Sequence, residues 1–92
     1  KKIAVEANTP EEAEAYLKAG ADTVQCERFT YDELGKFVNF ARKAYPGAVI
    51  AAAGGINASN AAEYAASGVD ILVTSWVYFG KPQDIKLKMF RI

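Results

Sequence analysis

Short apolar runs alternate along the chain with longer amphipathic stretches. The apolar runs cover residues 2–6, 22–26, 48–53 and 70–74 and have the length of β-strands. The third run is apolar throughout, which is typical of a strand that is covered on both faces. Strands that alternate with helices predict a parallel α/β sheet with right-handed crossovers.

The three amphipathic stretches carry helix start and stop signals. The predicted start signals are capping boxes at Thr9 with Glu12 and at Thr30 with Glu33, followed by a cap at Asn57 or Ser59. The predicted stops are Gly20, Pro46-Gly47 and Gly68. The predicted core-facing residues are Ala13, Tyr16 and Leu17, then Leu34, Phe37, Val38, Ala41 and Tyr45, then Ala61, Tyr64 and Ala65.

A weak internal repeat supports this organisation. Residues Ala13, Tyr16, Gly20 and Asp22 have counterparts in Ala61, Tyr64, Gly68 and Asp70, each at the same point of a helix–glycine–strand junction. The repeating unit is therefore βαβα, and the chain holds two of them. We expect residues 1–80 to form a (βα)4 parallel half-barrel, with an open flavodoxin-like sheet as the alternative.

Residues 81–92 are predicted to form a tail. Gly80-Lys81-Pro82 breaks the pattern, and Ile85, Leu87 and Met89 then alternate with lysines. This alternation favours a strand with one apolar face, or a short helix followed by a strand. If the four main strands lie in sequence order, residues 2–6 and 70–74 form unpaired edges, and such edges favour a homodimer.

Composition excludes several classes of function. The chain has 92 residues, enough for one domain, and its 11 basic residues equal its 11 acidic residues, so no nucleic-acid or membrane partner is expected. The only cysteine, Cys26, lies in an apolar run and is expected to be a core residue, which fits a cytoplasmic protein. There is no histidine to activate it or to serve as an acid–base group.

Candidate chemistry lies where the predicted strands end, because parallel α/β folds bind ligands at the carboxyl ends of their strands. Gly54-Gly55 lets the backbone approach an anion, and Thr74 and Ser75 at the next strand end add hydroxyl and backbone donors. Two adjacent ends of this kind predict a phosphate site, and the alternative is that Gly54-Gly55 only makes a tight turn.

Charged residues end the first two strands. Glu6 and Glu27 are candidates to hold Mg²⁺ with its waters or to position a substrate hydroxyl, and the alternative is one solvated carboxylate and one ion pair. Arg28 is a candidate contact for an anion or a member of a surface ion pair. Trp76, Tyr78 and Phe79 are expected to line a pocket, and the alternative is a patch that covers the bottom of the barrel or docks a partner.

Taken together, six segments resemble the C-terminal part of the quinolinate phosphoribosyltransferase family, most of all its ModD branch, which is associated with molybdenum uptake. They are residues 2–7, 20–22, 25–28, 51–57, 68–75 and 81–86. The resemblance implies a small α/β sandwich domain fused to an incomplete α/β barrel. It also implies transfer of phosphoribose from phosphoribosyl pyrophosphate to quinolinate, with Mg²⁺, releasing pyrophosphate and carbon dioxide.

The resemblance also assigns roles to residues. Glu6 and Glu27 match acidic residues near the ribose and metal, although Asp is usual at the second position. Gly54 and Gly55 match phosphate-loop glycines, and Ser75 matches a phosphate-loop position that is commonly Gly. Where family members carry Glu and Ser before the glycines and His after them, this chain has Ala51, Ala52-Ala53 and Phe79, which leaves the base substrate open.

The resemblance places the residues that grip the quinolinate carboxylates upstream of this sequence. We therefore expect the phosphate- and ribose-binding half of a phosphoribosyltransferase-like barrel, with a phosphate or phosphoribosyl ligand and without turnover as an isolated chain. The rival hypothesis is a half-barrel building block, engineered or proteolytic, that has no activity.

Overall fold

The computed structural model describes the backbone of residues 3–78 and 84–91 and the side chains of residues 3–73. The elements are β1 (Ala4–Ala7), α1 (Pro10–Lys18), β2 (Thr23–Glu27), α2 (Tyr31–Ala44), β3 (Val49–Ala53), α3 (Ala61–Ala66), β4 (Ile71–Tyr78) and β5 (Asp84–Arg91). The predicted alternation of strand and helix is confirmed. No helix in the described part of the chain is both long and apolar enough to cross a membrane.

The strands form one sheet in the order β1-β2-β3-β4-β5. The first four are parallel, and β5 pairs antiparallel with β4, so the predicted tail strand is confirmed. The expected open edge at residues 70–74 is wrong, because β5 occupies it. The predicted break at Gly80-Lys81-Pro82 lies outside the described residues.

β4 is longer than the apolar run that predicted it and continues through residues 75–78. These four residues, Ser-Trp-Val-Tyr, are mostly β-branched or aromatic and therefore suit a strand. Their pairing partners are residues 84–87, which lie far outside the run 70–74 from which the strand was predicted.

All three helices pack on one face of the sheet. One core cluster contains alternate strand residues, such as Val24, Cys26 and Ile50, together with Leu17 and Leu34 from the helices. A flavodoxin-like sheet carries helices on both faces and a non-sequential strand order. The single helical face and the sequential order therefore rule out that alternative and confirm the α/β fold of four parallel strands with interleaved helices.

The helix caps match the prediction in part. Thr30 and Glu33 form the complete capping box. The Thr9 hydroxyl accepts a hydrogen bond from Glu12 N at 3.0 Å, but the Glu12 carboxylate accepts from Asn8 N at 2.7 Å, so the first predicted box is incomplete.

Two further predictions about the helices are wrong. The N-cap of α3 is Asn60, because Asn57 and Ser59 bond to each other in the preceding turn. Tyr16 is 37% exposed, since it lies at the margin of the narrow face on which Ala13 and Leu17 are buried.

The internal repeat has a structural counterpart. Asp22 Oδ2 accepts a hydrogen bond from Ile3 N at 2.8 Å, just before β1, and Asp70 Oδ2 accepts from Ile50 N in β3 at the same distance. In each half of the chain, the aspartate that precedes the second strand therefore binds a backbone N–H at or near the start of the first strand. Arg42 reinforces only the second half, through an ion pair of 2.9 Å with Asp70.

Candidate functional site

Arg28 follows β2 directly and lies beside the end of β3. Its backbone has a φ of 60°, in the left-handed region that non-glycine residues rarely occupy. Its N–H donates to Ala53 O at 2.8 Å, and this bond carries the pairing of the two strands one residue past the end of β2. The backbone of Arg28 is thereby fixed against the turn that begins at Gly54.

The side chains of Glu27 and Arg28 lie against Gly54. A Cβ on Gly54 would stand 2.6 Å from Arg28 Cγ and 2.8 Å from Glu27 Oε1, distances that no side chain tolerates. A Cβ on Gly55 would stand 3.8 Å from Arg28 Nη1. Both glycines also have positive φ, 84° and 77°. The structure therefore brings together four residues that the sequence placed at two separate strand ends.

The guanidinium of Arg28 is thus close to the Gly54-Gly55 turn. Among residues 3–73, whose side chains the structure describes, Arg28 forms no ion pair, so the alternative of a surface ion pair is not realised there. An exposed cation beside a glycine turn is an arrangement that suits an anionic ligand.

The side chain of Asn60 fixes the backbone that follows the glycine turn, at residues 55–57. The sequence analysis did not identify this residue. Its Nδ2 donates to Gly55 O at 2.9 Å, and its Oδ1 accepts from Asn57 N at 2.8 Å. Within the described part of the chain, the N–H groups of Gly55 and Ile56 donate to no protein acceptor. The signal was the asparagine three residues after Asn57, a spacing at which a side chain caps a turn.

Thr74 and Ser75 lie inside β4 and not at its end. Their backbones pair with Lys88 and Leu87 of β5. The parallel pairing of β3 with β4 covers Ala51 with Ile71 and Ala52 with Leu72, so it ends two residues before Gly54 and Thr74. The side chains of Thr74, Ser75, Trp76 and Tyr78 and the whole of Phe79 lie outside the described residues.

Glu6 lies on the sheet face opposite the helices. Gln25 Nε2 donates to its Oε2 at 3.3 Å, and the register pairs the two residues directly. Glu27 is two residues further along β2 and so shares this face, one pleat closer to the glycine turn. An open cavity of about 420 Å³ on this face is lined by Ala4, Val5, Glu6, Thr23, Gln25, Ala51 and Ile71.

Two observations limit the chemistry that the described residues can perform. The described side chains include no group of three or more His, Cys, Asp or Glu residues placed to hold a metal. Cys26 is buried on the helical face, and burial raises the pKa of its thiol to about 12. Its assignment to the core is confirmed, and a thiol with this pKa is no nucleophile near neutral pH.

A family model decides the relationship that these features indicate. The model "Quinolinate phosphoribosyl transferase, C-terminal domain" matches residues 1–88. The chain belongs to this family. The resemblance noted in the sequence is therefore confirmed along almost its whole length.

Curated relatives agree with the assignment. The ModD protein of Escherichia coli O157:H7, named as a pyrophosphorylase, is 36% identical over 89 residues, which are 97% of this chain and 31% of the relative. The nicotinate-nucleotide pyrophosphorylase [carboxylating] of Dictyostelium discoideum is 33% identical over 89 residues, 96% of this chain and 30% of the relative. The chain thus spans about a third of the length of the curated relatives it matches.

The fold is shared with solved structures. A nicotinate-nucleotide pyrophosphorylase from Ehrlichia chaffeensis superimposes with a TM-score of 0.71 at 21% identity, covering 98% of this chain and 32% of the solved chain. The (βα)4 sheet and its antiparallel fifth strand therefore correspond to a part of a larger enzyme fold.

Proposed function

We propose that this chain is the phosphate- and ribose-binding part of a phosphoribosyltransferase-like α/β barrel of the ModD or quinolinate type. The observation that carries the proposal is the Arg28 side chain lying over the Gly54-Gly55 turn. Relatives that the chain matches are named as pyrophosphorylases of this kind, and a phosphoribosyl substrate carries the phosphates that such a turn accepts.

The anion site combines one full charge with backbone donors. The Arg28 guanidinium offers several N–H groups in a fixed fork, which fits phosphate oxygens. The N–H groups of Gly55 and Ile56 have no acceptor among the described residues. The Glu27 carboxylate beside Gly54 opposes a bare anion, so the site suits a phosphate whose charge Arg28 or a cation offsets.

Mg²⁺ fits this proposal as an ion bound between two carboxylates. Glu6 and Glu27 share the open sheet face, and Mg²⁺ is commonly held by one or two carboxylates together with waters and substrate phosphates. When bound, the ion would neutralise phosphate charge. Gln25 holds the Glu6 carboxylate toward the same face, where it can also accept a hydrogen bond from a ribose hydroxyl.

The proposal also includes a cytoplasmic location for this protein. The thiol of Cys26 is buried in the core and the chain has no second cysteine with which to form an internal disulfide. Such a protein suits a reducing compartment, where phosphoribosyl substrates are made and used.

The first prediction tests the anion site. Titration of inorganic phosphate into the chain should shift the backbone amide resonances of residues 54–57 and 74–76, as measured by ¹H–¹⁵N correlation spectra. Arg28→Gln should weaken this binding about tenfold, because it removes the charge while leaving both glycines in place. Gly54→Val is a poorer probe, since its side chain would collide with Glu27 and Arg28 before reaching any ligand.

Lys18→Gln is the matched control, because it removes one exposed positive charge from the last turn of α1, which lies five residues before β2 begins and therefore near the amino ends of the strands. It should leave the phosphate affinity unchanged. The proposal fails if phosphate moves none of these resonances, and the same result would favour the inactive building block. If Arg28→Gln and Lys18→Gln weaken phosphate binding equally, the effect comes from the net charge of the chain and not from a site at Arg28.

A further inference from the structure

Arg28 interrupts the regular alternation of side chains along β2. Val24 and Cys26 belong to the core under the helices. If β2 continued in the same way, Arg28 would also enter that core and Phe29 would face the open side. The structure has the reverse arrangement, because Arg28 is exposed beside Gly54 and Phe29 is 3% exposed within the core. The two faces of the strand are therefore exchanged at this one position.

The left-handed backbone of Arg28 makes this exchange. Its φ of 60° lies in a region that an arginine rarely occupies and a glycine occupies readily. No other non-glycine residue in the described part of the chain has a positive φ. The chain thus carries a large cationic side chain at a position whose backbone favours glycine. Strain of this kind is typical of ligand sites, and it persists only where the surrounding structure holds the residue firmly.

The backbone is held on both sides of Arg28. On one side, the Arg28 N–H donates to Ala53 O at 2.8 Å. On the other side, Tyr64 Oη donates to Phe29 O at 2.8 Å, across 35 residues of sequence. The Phe29 ring also lies edge-on to the ring of Phe37, at 6.3 Å, which keeps it under the helices. Of these contacts, only the Tyr64 bond depends on a single hydroxyl group.

We propose that Tyr64 is a positioning residue for the anion site. By holding the carbonyl group of Phe29, its hydroxyl group keeps Arg28 left-handed, and this conformation places the guanidinium over the Gly54-Gly55 turn. The inference rests on the proposed function, because it concerns how the phosphate-binding arginine is held. Tyr64 acts through Arg28 and needs no contact with the ligand.

Loss of the Tyr64 bond lowers the population of the conformer that binds. A strained residue released on one side relaxes toward a right-handed or extended backbone, which turns the guanidinium away from the glycines. The affinity for an anion then decreases with the fraction of chains in which Arg28 remains left-handed. One hydrogen bond corresponds to a change of about fivefold in such an equilibrium.

The second prediction measures this effect with inorganic phosphate as the probe. Tyr64→Phe should weaken phosphate binding about fivefold, as measured from the amide resonances of residues 54–57. The variant keeps the aromatic ring and all 11 basic and 11 acidic residues of the chain. Tyr31→Phe is the matched control, because it removes a hydroxyl from the exposed ring that packs edge-on against Tyr64. It should leave the phosphate affinity unchanged.

A double-mutant cycle separates positioning from a general loss of structure. If Tyr64 acts through Arg28, Tyr64→Phe should have no further effect on the phosphate affinity once Arg28→Gln has removed the guanidinium. A general loss of structure would instead weaken binding by the same factor in both backgrounds. Circular dichroism and urea unfolding check that each variant is folded under the conditions of the titration.

The strain at Arg28 is measured without a ligand. The ratio of folded to unfolded chain should be about fivefold higher for Arg28→Gly than for Arg28→Ala, because glycine is unstrained in the left-handed region. Glu14 in α1 provides the matched comparison in an ordinary helix, where Glu14→Gly should be less stable than Glu14→Ala. Arg28→Gly should also bind phosphate about tenfold more weakly than the parent chain.

The results distinguish this inference from the proposed function. If the parent chain binds no phosphate, the proposed function fails and the positioning role fails with it. If Arg28→Gln weakens binding and Tyr64→Phe does not, only the role of Tyr64 is wrong. Equal effects of Tyr64→Phe in both Arg28 backgrounds would show that Tyr64 does not act through Arg28. An Arg28→Ala variant that is as stable as Arg28→Gly would show that there is no strain for Tyr64 to hold.

Discussion

Neighbouring residues of β2 have opposite environments. The Cys26 side chain points into the helical core and is 1% exposed, whereas Glu27 lies on the open face against Gly54. This difference follows from the two-residue period of a strand, which sends successive side chains to opposite faces. Of these two residues, Glu27 alone is placed on the face that is open to a ligand, and the Cys26 thiol is part of the core.

The third prediction concerns the effect of pH on stability through Cys26. Burial raises the pKa of its thiol from 9.0 to about 12. Below pH ~9 the thiol is protonated in both the folded and the unfolded chain, so it adds no pH dependence. Between pH ~9 and ~12 only the unfolded chain releases the proton, and stability decreases as pH rises.

Urea unfolding at pH 7 and pH 10 measures this loss. The chain should lose about 1 kcal/mol more than Cys26→Ala over this interval, because the variant has no thiol to ionise. The variant is also less stable at pH 7, since it leaves a small gap in the core, so the comparison uses the change with pH and not the absolute value. Parallel losses in the two proteins would show that Cys26 is not the titrating group.

Single residues at the site could be predicted from their neighbours in sequence, but their contacts could not. The two glycines and Arg28 were identified because they directly follow apolar runs. The position of the Arg28 side chain over Gly54 depends on the pairing of β2 with β3, which brings together residues 26 apart in sequence. Gln25 was missed for the same reason, because its bond to Glu6 crosses two strands.

At the scale of elements, the two halves of the repeat end their helices with equivalent glycines. Gly20 after α1 and Gly68 after α3 have φ values of 109° and 96°. Their surroundings differ, however. A Cβ on Gly20 would meet nothing within 4 Å, whereas a Cβ on Gly68 would stand 3.2 Å from Val38 Cγ1. Comparing Gly20 with Gly68 therefore separates the energetic cost of backbone strain from the cost of a crowded contact.

The fourth prediction compares Gly20→Ala with Gly68→Ala. Both should destabilise the fold by about 1–2 kcal/mol, because alanine is strained in the left-handed region. Gly68→Ala should cost about 1 kcal/mol more, since its methyl group presses on Val38 in the core. Urea denaturation of both variants and the parent measures the difference. Equal losses would show that Val38 moves aside freely.

The elements themselves were largely predictable, and the errors have a common cause. Apolar runs and caps identified all four parallel strands and three helices to within a few residues, because these signals are local. The exceptions, the extension of β4 and the cap of α3, depend on partners that a local pattern does not contain. β4 continues because β5 pairs with it, and Asn60 takes the N-cap position of α3, without a side-chain cap bond, because Asn57 and Ser59 are bonded together.

At the scale of the whole molecule, the sheet has one covered and one open face. The helices cover the face that carries Val24, Cys26 and Ile50, while the other face carries Glu6, Gln25 and an open cavity. In a closed barrel of this type the open face would be the interior, and closure takes about eight strands. The four parallel strands are therefore about half of the number that such a closed barrel contains.

The fifth prediction is that the 92-residue chain has no phosphoribosyltransferase turnover. The chain covers 31% of the E. coli ModD relative, so the tested polypeptide has no counterpart of most of that relative's residues. It also has no histidine, which removes the commonest acid–base group. Holding two reactants in the correct geometry supplies about 7–11 kcal/mol of barrier lowering, and a single open face cannot orient both.

Pyrophosphate release from phosphoribosyl pyrophosphate, with quinolinate and Mg²⁺ present, measures this turnover. The chain should not exceed the enzyme-free blank, and a full-length nicotinate-nucleotide pyrophosphorylase [carboxylating] is the positive control. The phosphate titration is read beside this assay, because binding without turnover is the result that distinguishes half of an active site from an inert scaffold. Release above the blank that Arg28→Gln abolishes would contradict the prediction, since the open face would then suffice for chemistry.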